Sequence, residues 1–327
     1  MYDVICLGSA TIDIFLTIHQ RLKSVSYGSK VLVKDLEIFT GGGGTNAAVA
    51  LSRLGLKVGF LGKVGDDHNG EMILKELEKE KVRVLKTKLS KEHMTSLSMI
   101  LKSELEQDRV IYTYKGASDD LGWNDVGKLE TKWIYLGTLL GKSFRTAERL
   151  VGFCKKNKIK VMFNPSTYLA AKGTDYLKRI LSGTNIIVLN KSEAKLLLKT
   201  KKNNIKFLLK KLKEKIKDVV VITEGAKGVH VYDGKFMYSM GSHKIKVMHT
   251  AGAGDAFNSG FLAGIAKGLG VEKALELGMA ESASVIQKYG TKNGLVNYNQ
   301  ALKFIKSHKK NILKVLRNQK ISGTSKN

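Results

Sequence analysis

Residues 249–260 read His-Thr-Ala-Gly-Ala-Gly-Asp-Ala-Phe-Asn-Ser-Gly, with small residues directly before Asp255. A helical pattern follows, because Phe257, Phe261 and Ile265 recur on one face. Small residues let a ligand approach the backbone closely, and the unpaired N–H groups and dipole at a helix start favour an anion. The stretch therefore predicts an anion-binding helix N-terminus with an acid at its mouth.

Asp255 is our candidate general base, beside a candidate anion hole formed by the amides of Gly252, Ala253 and Gly254. A carboxylate in this place can accept the proton of an attacking hydroxyl while the amides stabilise a phosphoryl group in transfer. The base typically contributes about 10²–10⁴-fold and each anion donor about 10²–10³-fold. The alternative is an ordinary glycine-rich helix start with Asp255 as a cap, because short glycine motifs recur by chance.

A second glycine run, at residues 41–44, also precedes a helical pattern. Four glycines cost backbone entropy that a simple turn does not need, so the run predicts close contact between the backbone and a polyhydroxy ligand. Asn46 offers such a ligand both a donor and an acceptor, although its alternative role is a hydrogen bond at the helix terminus. No Lys follows Gly44, which excludes the Lys-Ser/Thr phosphate loop.

Short apolar runs alternate with helix-length segments along most of the chain. The runs are residues 4–7, 57–61, 133–136, 160–163, 186–189 and 219–222. This order is typical of a largely parallel sheet covered by helices, with strands buried on both faces. Residues 11–39 and 94–115 alternate polar and apolar side chains instead, and we predict that they form one small accessory sheet. The prediction is a single α/β domain over residues 1–327.

The composition limits the function classes. The chain has 327 residues, 43% of them hydrophobic, and no apolar run approaches the ~20 residues of a membrane-spanning helix. Its N-terminus lacks a signal-peptide pattern, and its two cysteines, Cys6 and Cys154, are too few for a disulfide framework. We therefore expect a cytoplasmic protein without a membrane partner.

The net charge of +27 would attract polyanions. The lysines are spread through segments such as residues 195–217 and a basic C-terminal tail at about 308–327, without the interleaved aromatic residues that base stacking uses. We expect no specific nucleic-acid binding. The alternative, an RNA-binding accessory protein, predicts salt-sensitive RNA association that survives deletion of the glycine runs.

Polar residues follow three predicted strands, at the sheet edge where open α/β folds bind ligands. Asp13 follows the first strand and is suited either to sugar hydroxyls or to an Asx-turn. Asn190 and Glu193 follow the fifth strand and offer oxygen ligands for Mg²⁺. Thr223 and Gly225 follow the sixth and suit nucleotide phosphates. Helix capping and hairpin formation are the alternatives for both pairs.

These motifs together resemble, in order and over nearly the whole length, the ribokinase-like or PfkB carbohydrate kinases. The two glycine-rich segments resemble the N-terminal and C-terminal signatures of that family, and the polar pairs resemble its magnesium and phosphate motif and its nucleotide loop. The matching positions are residues 41–48 and 250–260, Asn190 with Glu193, and Thr223 with Gly225 and Gly228.

The resemblance implies a three-layer α/β/α sandwich around a mostly parallel sheet, with the accessory sheet as a lid, and a kinase that uses ATP and Mg²⁺. By the resemblance, Asp255 is the base for phosphoryl transfer to a hydroxyl of a sugar or sugar-like substrate, and many members dimerise through the lid. The implied contacts are Gly252, Ala253 and Gly254 for the anion hole, Asp13, Gly41, Gly42 and Asn46 for the substrate, Asn190, Thr223, Gly225 and Gly228 for the nucleotide, and Glu193 for the metal.

The chain also departs from the family pattern. His249 stands where many members carry an Asp that helps to bind an activating monovalent cation, which leaves potassium activation open. Thr11 and Gly43 replace an Asn and a Lys of true ribokinases, so ribose is not implied. Two alternatives remain, a nucleoside kinase of adenosine type and a non-catalytic sugar or nucleotide sensor. Retention of Asp13 and Asp255 argues against the sensor.

Overall fold

The computed structural model describes residues 1–85, 89–106 and 108–316. The strands are β1 (Tyr2–Leu7), β2 (Thr11–Ile18), β3 (Val33–Gly41), β4 (Val58–Leu61), β5 (Arg83–Val84), β6 (Ser96–Ser103), β7 (Arg109–Tyr114), β8 (Thr131–Leu136), β9 (Lys160–Phe163), β10 (Ile186–Asn190), β11 (Val219–Thr223), β12 (Val229–Tyr232), β13 (Phe236–Met240) and β14 (Leu313–Leu316). The helices are α1 (Gly43–Arg53), α2 (His68–Lys79), α3 (Gly141–Lys156), α4 (Ser166–Ala170), α5 (Gly173–Tyr176), α6 (Lys178–Leu181), α7 (Lys191–Leu197), α8 (Ile205–Lys213), α9 (Ala253–Ala266), α10 (Gly270–Val285) and α11 (Tyr298–Ser307).

The main sheet has the strand order β14-β13-β12-β11-β10-β9-β8-β1-β4-β5. All six predicted strands are present as β1, β4, β8, β9, β10 and β11, and each neighbouring pair among them is parallel. Their carboxyl ends therefore share one edge of the sheet, which brings the residues that follow them together.

Helices cover both faces of this sheet. Along β1, Val4 and Cys6 belong to the core shared with α1, α9 and α10, while Ile5 and Leu7 belong to the core shared with α3 and α8. This alternation follows from the two-residue period of a strand, and each fully buried Leu or Ile contributes about 1.5–3 kcal/mol. The result is the predicted three-layer α/β/α sandwich.

A separate four-stranded sheet has the order β3-β2-β6-β7. Strand β2 is antiparallel to β3 and parallel to β6, so the sheet joins the two excursions of the chain that the sequence predicts. The pairing of β2 with β3 ends at Thr11 and Gly41, the first residue of the glycine run that leads into α1. The predicted small sheet is confirmed and lies next to the glycine-rich segments.

At the far edge of the main sheet, β13 and β14 were not predicted, and β12 entered only through the hairpin alternative for the loop after residue 222. Strands β12, β13 and β14 add to β11 in antiparallel fashion. Of the predicted basic tail, residues 308–316 are described and end in β14, while residues 317–327 lie outside the described residues. Within the described ranges, no helix combines the length and apolar character needed to cross a membrane.

Candidate active site

The N-terminus of α9 is shaped by Gly252. This residue has φ +80°, and a Cβ there would approach the backbone oxygen of Thr291 to 2.9 Å, so both conformation and space require glycine. The amide of Ala253 donates to the Thr250 carbonyl over 3.3 Å. In the described chain no backbone carbonyl accepts from the amides of Gly254 or Asp255. Two N–H groups at this helix start thus stay available to an anion.

Asp255 is tied to the N-terminal glycine segment through Asn46. Asn46 Nδ2 donates to Asp255 Oδ2 over 2.9 Å, and Asn46 Oδ1 accepts from Thr291 Oγ1 over 3.0 Å. This chain of bonds fixes the amide orientation of Asn46 with its donor toward the acid. Burial raises the pKa of Asp255, while the Asn46 hydrogen bond and the charge of Lys292 oppose that rise.

The four-glycine run packs against the loop after β1. The amides of Gly43 and Gly44 donate to Ser9 Oγ and Ser9 O over 3.2 Å and 3.1 Å. A Cβ on Gly44 would lie 2.6 Å from the Gly8 carbonyl carbon, and one on Gly41 would overlap the Asp13 carboxylate. Close backbone packing therefore accounts for part of the run. Gly42 and Gly43 line the cavity described next, whereas Gly41 makes room behind Asp13.

A cavity of about 280 Å³ lies between the small sheet and the starts of α1 and α9. Asp13 and Asp255 both line it, together with Asn46. Burial raises the pKa of Asp13 to about 6, and the negative charge of Asp255 adds to that rise while Ser98 and Lys292 oppose it. Two acids thus share one cavity.

Lys292 is a charged group of this region that sequence reasoning missed. It is 4% exposed and donates to Thr40 Oγ1 over 3.0 Å and to Glu76 Oε2. Burial lowers its pKa, and the charge of Glu76 opposes this. Its own charge lowers the pKa of both Asp13 and Asp255. In a chain with 56 Lys and Arg residues, one lysine carries no sequence signal of burial.

A second cavity, of about 310 Å³, lies on the other side of the α9 start. Thr223, Gly225 and Gly228 line it, as do Ala253 and Gly254. Gly228 has φ +101° and leads into the β11–β12 hairpin, so the hairpin alternative for this loop is realised together with the cavity. The first turn of α9 therefore separates the two cavities.

Asn190 and Glu193 form a reciprocal capping box at the start of α7. Asn190 Oδ1 accepts from the Glu193 amide, and Glu193 Oε2 accepts from the Asn190 amide, both over 2.9 Å. Thr167 Oγ1 donates to Glu193 Oε1 over 3.3 Å. Burial raises the pKa of Glu193, with a further contribution from the charge of Asp255. Neither residue lines the two cavities, although Glu193 lies within electrostatic reach of Asp255.

His249 lies between Phe15 and Tyr289, with ring centroids 6.4 Å and 5.8 Å away. Its Nδ1 accepts from the Ala251 amide over 3.0 Å. Burial and the positive charge of Lys102 lower its pKa, so the ring is neutral near pH 7. An uncharged aromatic ring thus occupies the position for which the resemblance implies an Asp in many members.

The chain is similar to known proteins over nearly its whole length. The family model described as pfkB family carbohydrate kinase matches residues 1–297. Ribokinase from Lactococcus lactis subsp. lactis is 28% identical over 90% of this chain and 94% of that protein. The nucleoside kinase of Methanocaldococcus jannaschii matches with TM-score 0.79 at 21% identity, over 94% of this chain and 99% of that one. Ribokinase of Arabidopsis thaliana, complexed with ribose and ATP, matches with TM-score 0.77 at 20% identity, over 93% and 99%.

Proposed function

Because the chain belongs to the pfkB family of carbohydrate kinases, we propose that it transfers the γ-phosphoryl group of ATP to a hydroxyl of a sugar or sugar-like substrate, with Asp255 as general base. The chain is a phosphotransferase with an alcohol group as acceptor. The donor, the acceptor and the roles of individual residues are our proposal.

One observation carries this proposal. The first turn of α9 lies between two cavities, with Asp255 lining one and Gly254 lining the other. An acceptor in the first cavity and a nucleotide in the second would meet at the free amides of that turn. Such an arrangement holds two substrates in line at a site that stabilises negative charge.

The proposed reaction is a direct displacement. Asp255 takes the proton of the acceptor hydroxyl while the hydroxyl oxygen forms a bond to the γ-phosphorus. The bond from that phosphorus to the bridging oxygen of the β-phosphate breaks, which releases ADP. The Gly254 and Asp255 amides, with Gly252 and Ala253 as the remaining backbone of the anion hole, stabilise the charge in transfer. Asn46 orients the carboxylate through its 2.9 Å hydrogen bond.

Binding roles follow from the cavities. We assign Asp13, Gly42 and Asn46 to acceptor hydroxyls, with Gly41 shaping the Asp13 position. The nucleotide contacts that we propose are Thr223, Gly225 and Gly228, with Asn190 at the neighbouring strand end. Asn190 and Thr223 are paired residues of β10 and β11, which supports a shared nucleotide site.

The acids near α9 fit a magnesium ion. Burial raises the pKa of Glu193, and the negative charge of Asp255 adds to that rise. A divalent cation between the two acids would relieve this repulsion. We propose that Glu193 holds Mg²⁺ through water, because both of its carboxylate oxygens already accept a protein hydrogen bond. The ion would neutralise charge on the nucleotide phosphates.

An acceptor screen tests the function. ADP release would be measured with ATP, Mg²⁺ and a panel of pentoses, hexoses, phosphosugars, sugar acids and nucleosides. We expect release that depends on the acceptor. ATP binding without acceptor-dependent ADP release from any compound would favour the non-catalytic sensor instead.

One observation favours a nucleoside as a second candidate substrate. Phe15, Phe39, His249 and Tyr289 give the first cavity an aromatic lining that a planar base can contact. Adenosine therefore belongs in the panel as the representative of this alternative.

The outer face of the small sheet suits a second copy of the chain. Leu36, Ile38, Met99, Tyr112 and Tyr114 are exposed there, by 39% to 62%. Such an apolar patch on one sheet face is typical of an interface, and we propose a homodimer through the lid in the cytoplasm. Light scattering should give twice the chain mass, and Ile38→Lys should give a monomer.

A further inference from the structure

Two positively charged residues lie at the end of the β6–β7 pairing, on the face of the small sheet that lines the acceptor cavity. Lys102 on β6 and Arg109 on β7 are directly opposite each other in the antiparallel register, and both line the acceptor cavity. Like charges in directly opposed positions destabilise a sheet. No carboxylate in the described ranges lies within ion-pair distance of either side chain, so no ion pair there offsets this repulsion.

Lys102 is partly buried, and its ammonium is directed across the cavity. Its Nζ lies 5.3 Å from the Phe15 ring centroid on β2 and 5.5 Å from that of Tyr289 in the main domain. The charges of Lys102 and Arg109 both lower the pKa of His249, whose ring lines the same cavity. Glu37 also lines the cavity, on β3, two strands away from Lys102 and paired with Phe15 of β2.

The strand register gives the spacing between this basic pair and the chemistry. Asp13 pairs with Ser98, Phe15 with Ile100, and Lys102 is the next residue on the same face of β6. Successive residues on one face are separated by roughly 7 Å. Because Lys102 folds back over the Phe15 ring, its ammonium lies about one such step from the level of Asp13. That span is about the reach of an extended sugar chain.

We propose, on the basis of the kinase function above, that the acceptor is a sugar carrying an anionic group, a phosphate or a carboxylate, and that Lys102 and Arg109 bind this group at the end remote from the reacting hydroxyl. The polyol end contacts Asp13 and Asn46. The apolar step between them, formed by Phe15 and Ile100, covers the carbon chain. A neutral sugar or a nucleoside base would leave the two charges without an anionic partner.

The test compares neutral sugars with derivatives that carry an anionic group. Fructose is compared with fructose 6-phosphate and glucose with gluconate, with adenosine as the representative nucleoside. In the wild-type protein, kcat/KM should be at least about 10-fold higher for the charged member of one of the two pairs, because a hydrogen bond to a charged group is worth that much or more. The responding pair distinguishes a phosphate from a carboxylate.

Substitutions of Lys102 and Arg109 test whether these two residues cause the preference for a charged acceptor. Lys102→Gln and Arg109→Gln should each lower kcat/KM for the charged acceptor by about 10-fold or more and change that for the neutral partner far less. Lys217→Gln, which removes an equal charge from the turn before β11, should change neither. A thermal melt without ligand adds an independent readout: Lys102→Gln should leave the melting temperature unchanged or raise it, because it relieves repulsion.

The outcomes separate this proposal from the proposed function. A neutral sugar or adenosine as the best acceptor, or an unchanged charge preference in both Gln variants, would overturn the anionic site while leaving the kinase intact. If ADP is released with none of the acceptors, the proposed function fails. Calorimetry of the binding of the same charged and neutral sugars then still tests the anionic site. Tighter binding of the charged member to the wild type alone supports it, and equal binding overturns it.

Discussion

Asn46→Ala is a direct probe of the contact that joins the two glycine-rich segments. The variant removes the 2.9 Å hydrogen bond to Asp255 Oδ2 without adding a charge. A hydrogen bond to a charged group contributes about 1.5–3 kcal/mol, which is about 10- to 100-fold in an equilibrium constant. Burial already raises the pKa of Asp255, and loss of this donor should raise it further.

The consequence for the rate has a definite sign. A general base works only when ionised, so the acid limb of the kcat profile should move toward alkaline pH. At a pH on that limb, kcat should fall about 10- to 100-fold, while the alkaline plateau should change much less. The kcat profile is the appropriate readout because it reports the enzyme–substrate complex, whereas KM also contains the sugar contact of Asn46.

The assay is ADP release across pH 5–9 at saturating acceptor, for the wild type, Asn46→Ala and a control. Asn297→Ala is the matched control, because Asn297 caps α11 away from the cavities. A uniform loss of kcat with an unmoved acid limb would refute the reasoning, since it would mean that Asn46 does not tune Asp255.

Three further predictions concern titratable groups of the same molecule. With the pKa of Asp13 raised to about 6, kcat/KM should rise with pH through that value as the carboxylate ionises to accept hydroxyls, and Asp13→Asn should remove this step from the profile. Burial raises the pKa of Glu281 from 4.5 to about 8, so the folded wild type loses stability as pH rises from 4.5 toward 8. Glu281→Gln should remove that loss. The free energy of unfolding in urea, measured at pH 5 and pH 8, should therefore favour the variant over the wild type by a few kcal/mol more at pH 8 than at pH 5. The same difference between variant and wild type at both pH values would contradict this. Because neutral His249 supplies no negative charge for a cation, exchanging sodium for potassium should change kcat less than about twofold, and a large activation would show that other groups form a cation site.

Local pattern predicted the strands of the main sheet well. Runs such as residues 186–189 and 219–222 are apolar on both faces, and this signal does not depend on the partner strand. The β12–β13 hairpin was missed, although Asp233-Gly234 between two alternating runs is a hairpin signal. The edge strand β14 had no comparable signal, because its pairing with β13 is made across more than seventy residues.

The sequence predicted the site residues that stand in motifs, but not those that reach the site only through tertiary contacts. Asp255 and Asn46 stand in glycine-rich segments that the sequence makes visible, and the structure brings them into hydrogen-bond contact. Lys292 lies far from Glu76 in sequence, and its burial depends on the loop after α10. Lys102 and Arg109 face each other only because of the β6–β7 register, which alternation alone does not set.

The central claim is that the Asp255 carboxylate takes the acceptor proton. Asp255→Asn keeps the size of the side chain and removes the base. Asp218→Asn, in the turn before β11 at the opposite edge of the sheet, is the control. Single-turnover phosphoryl transfer should fall by about 10²–10⁴-fold in Asp255→Asn alone, while ATP binding measured by calorimetry stays near the wild-type value. A normal transfer rate in Asp255→Asn would contradict the account.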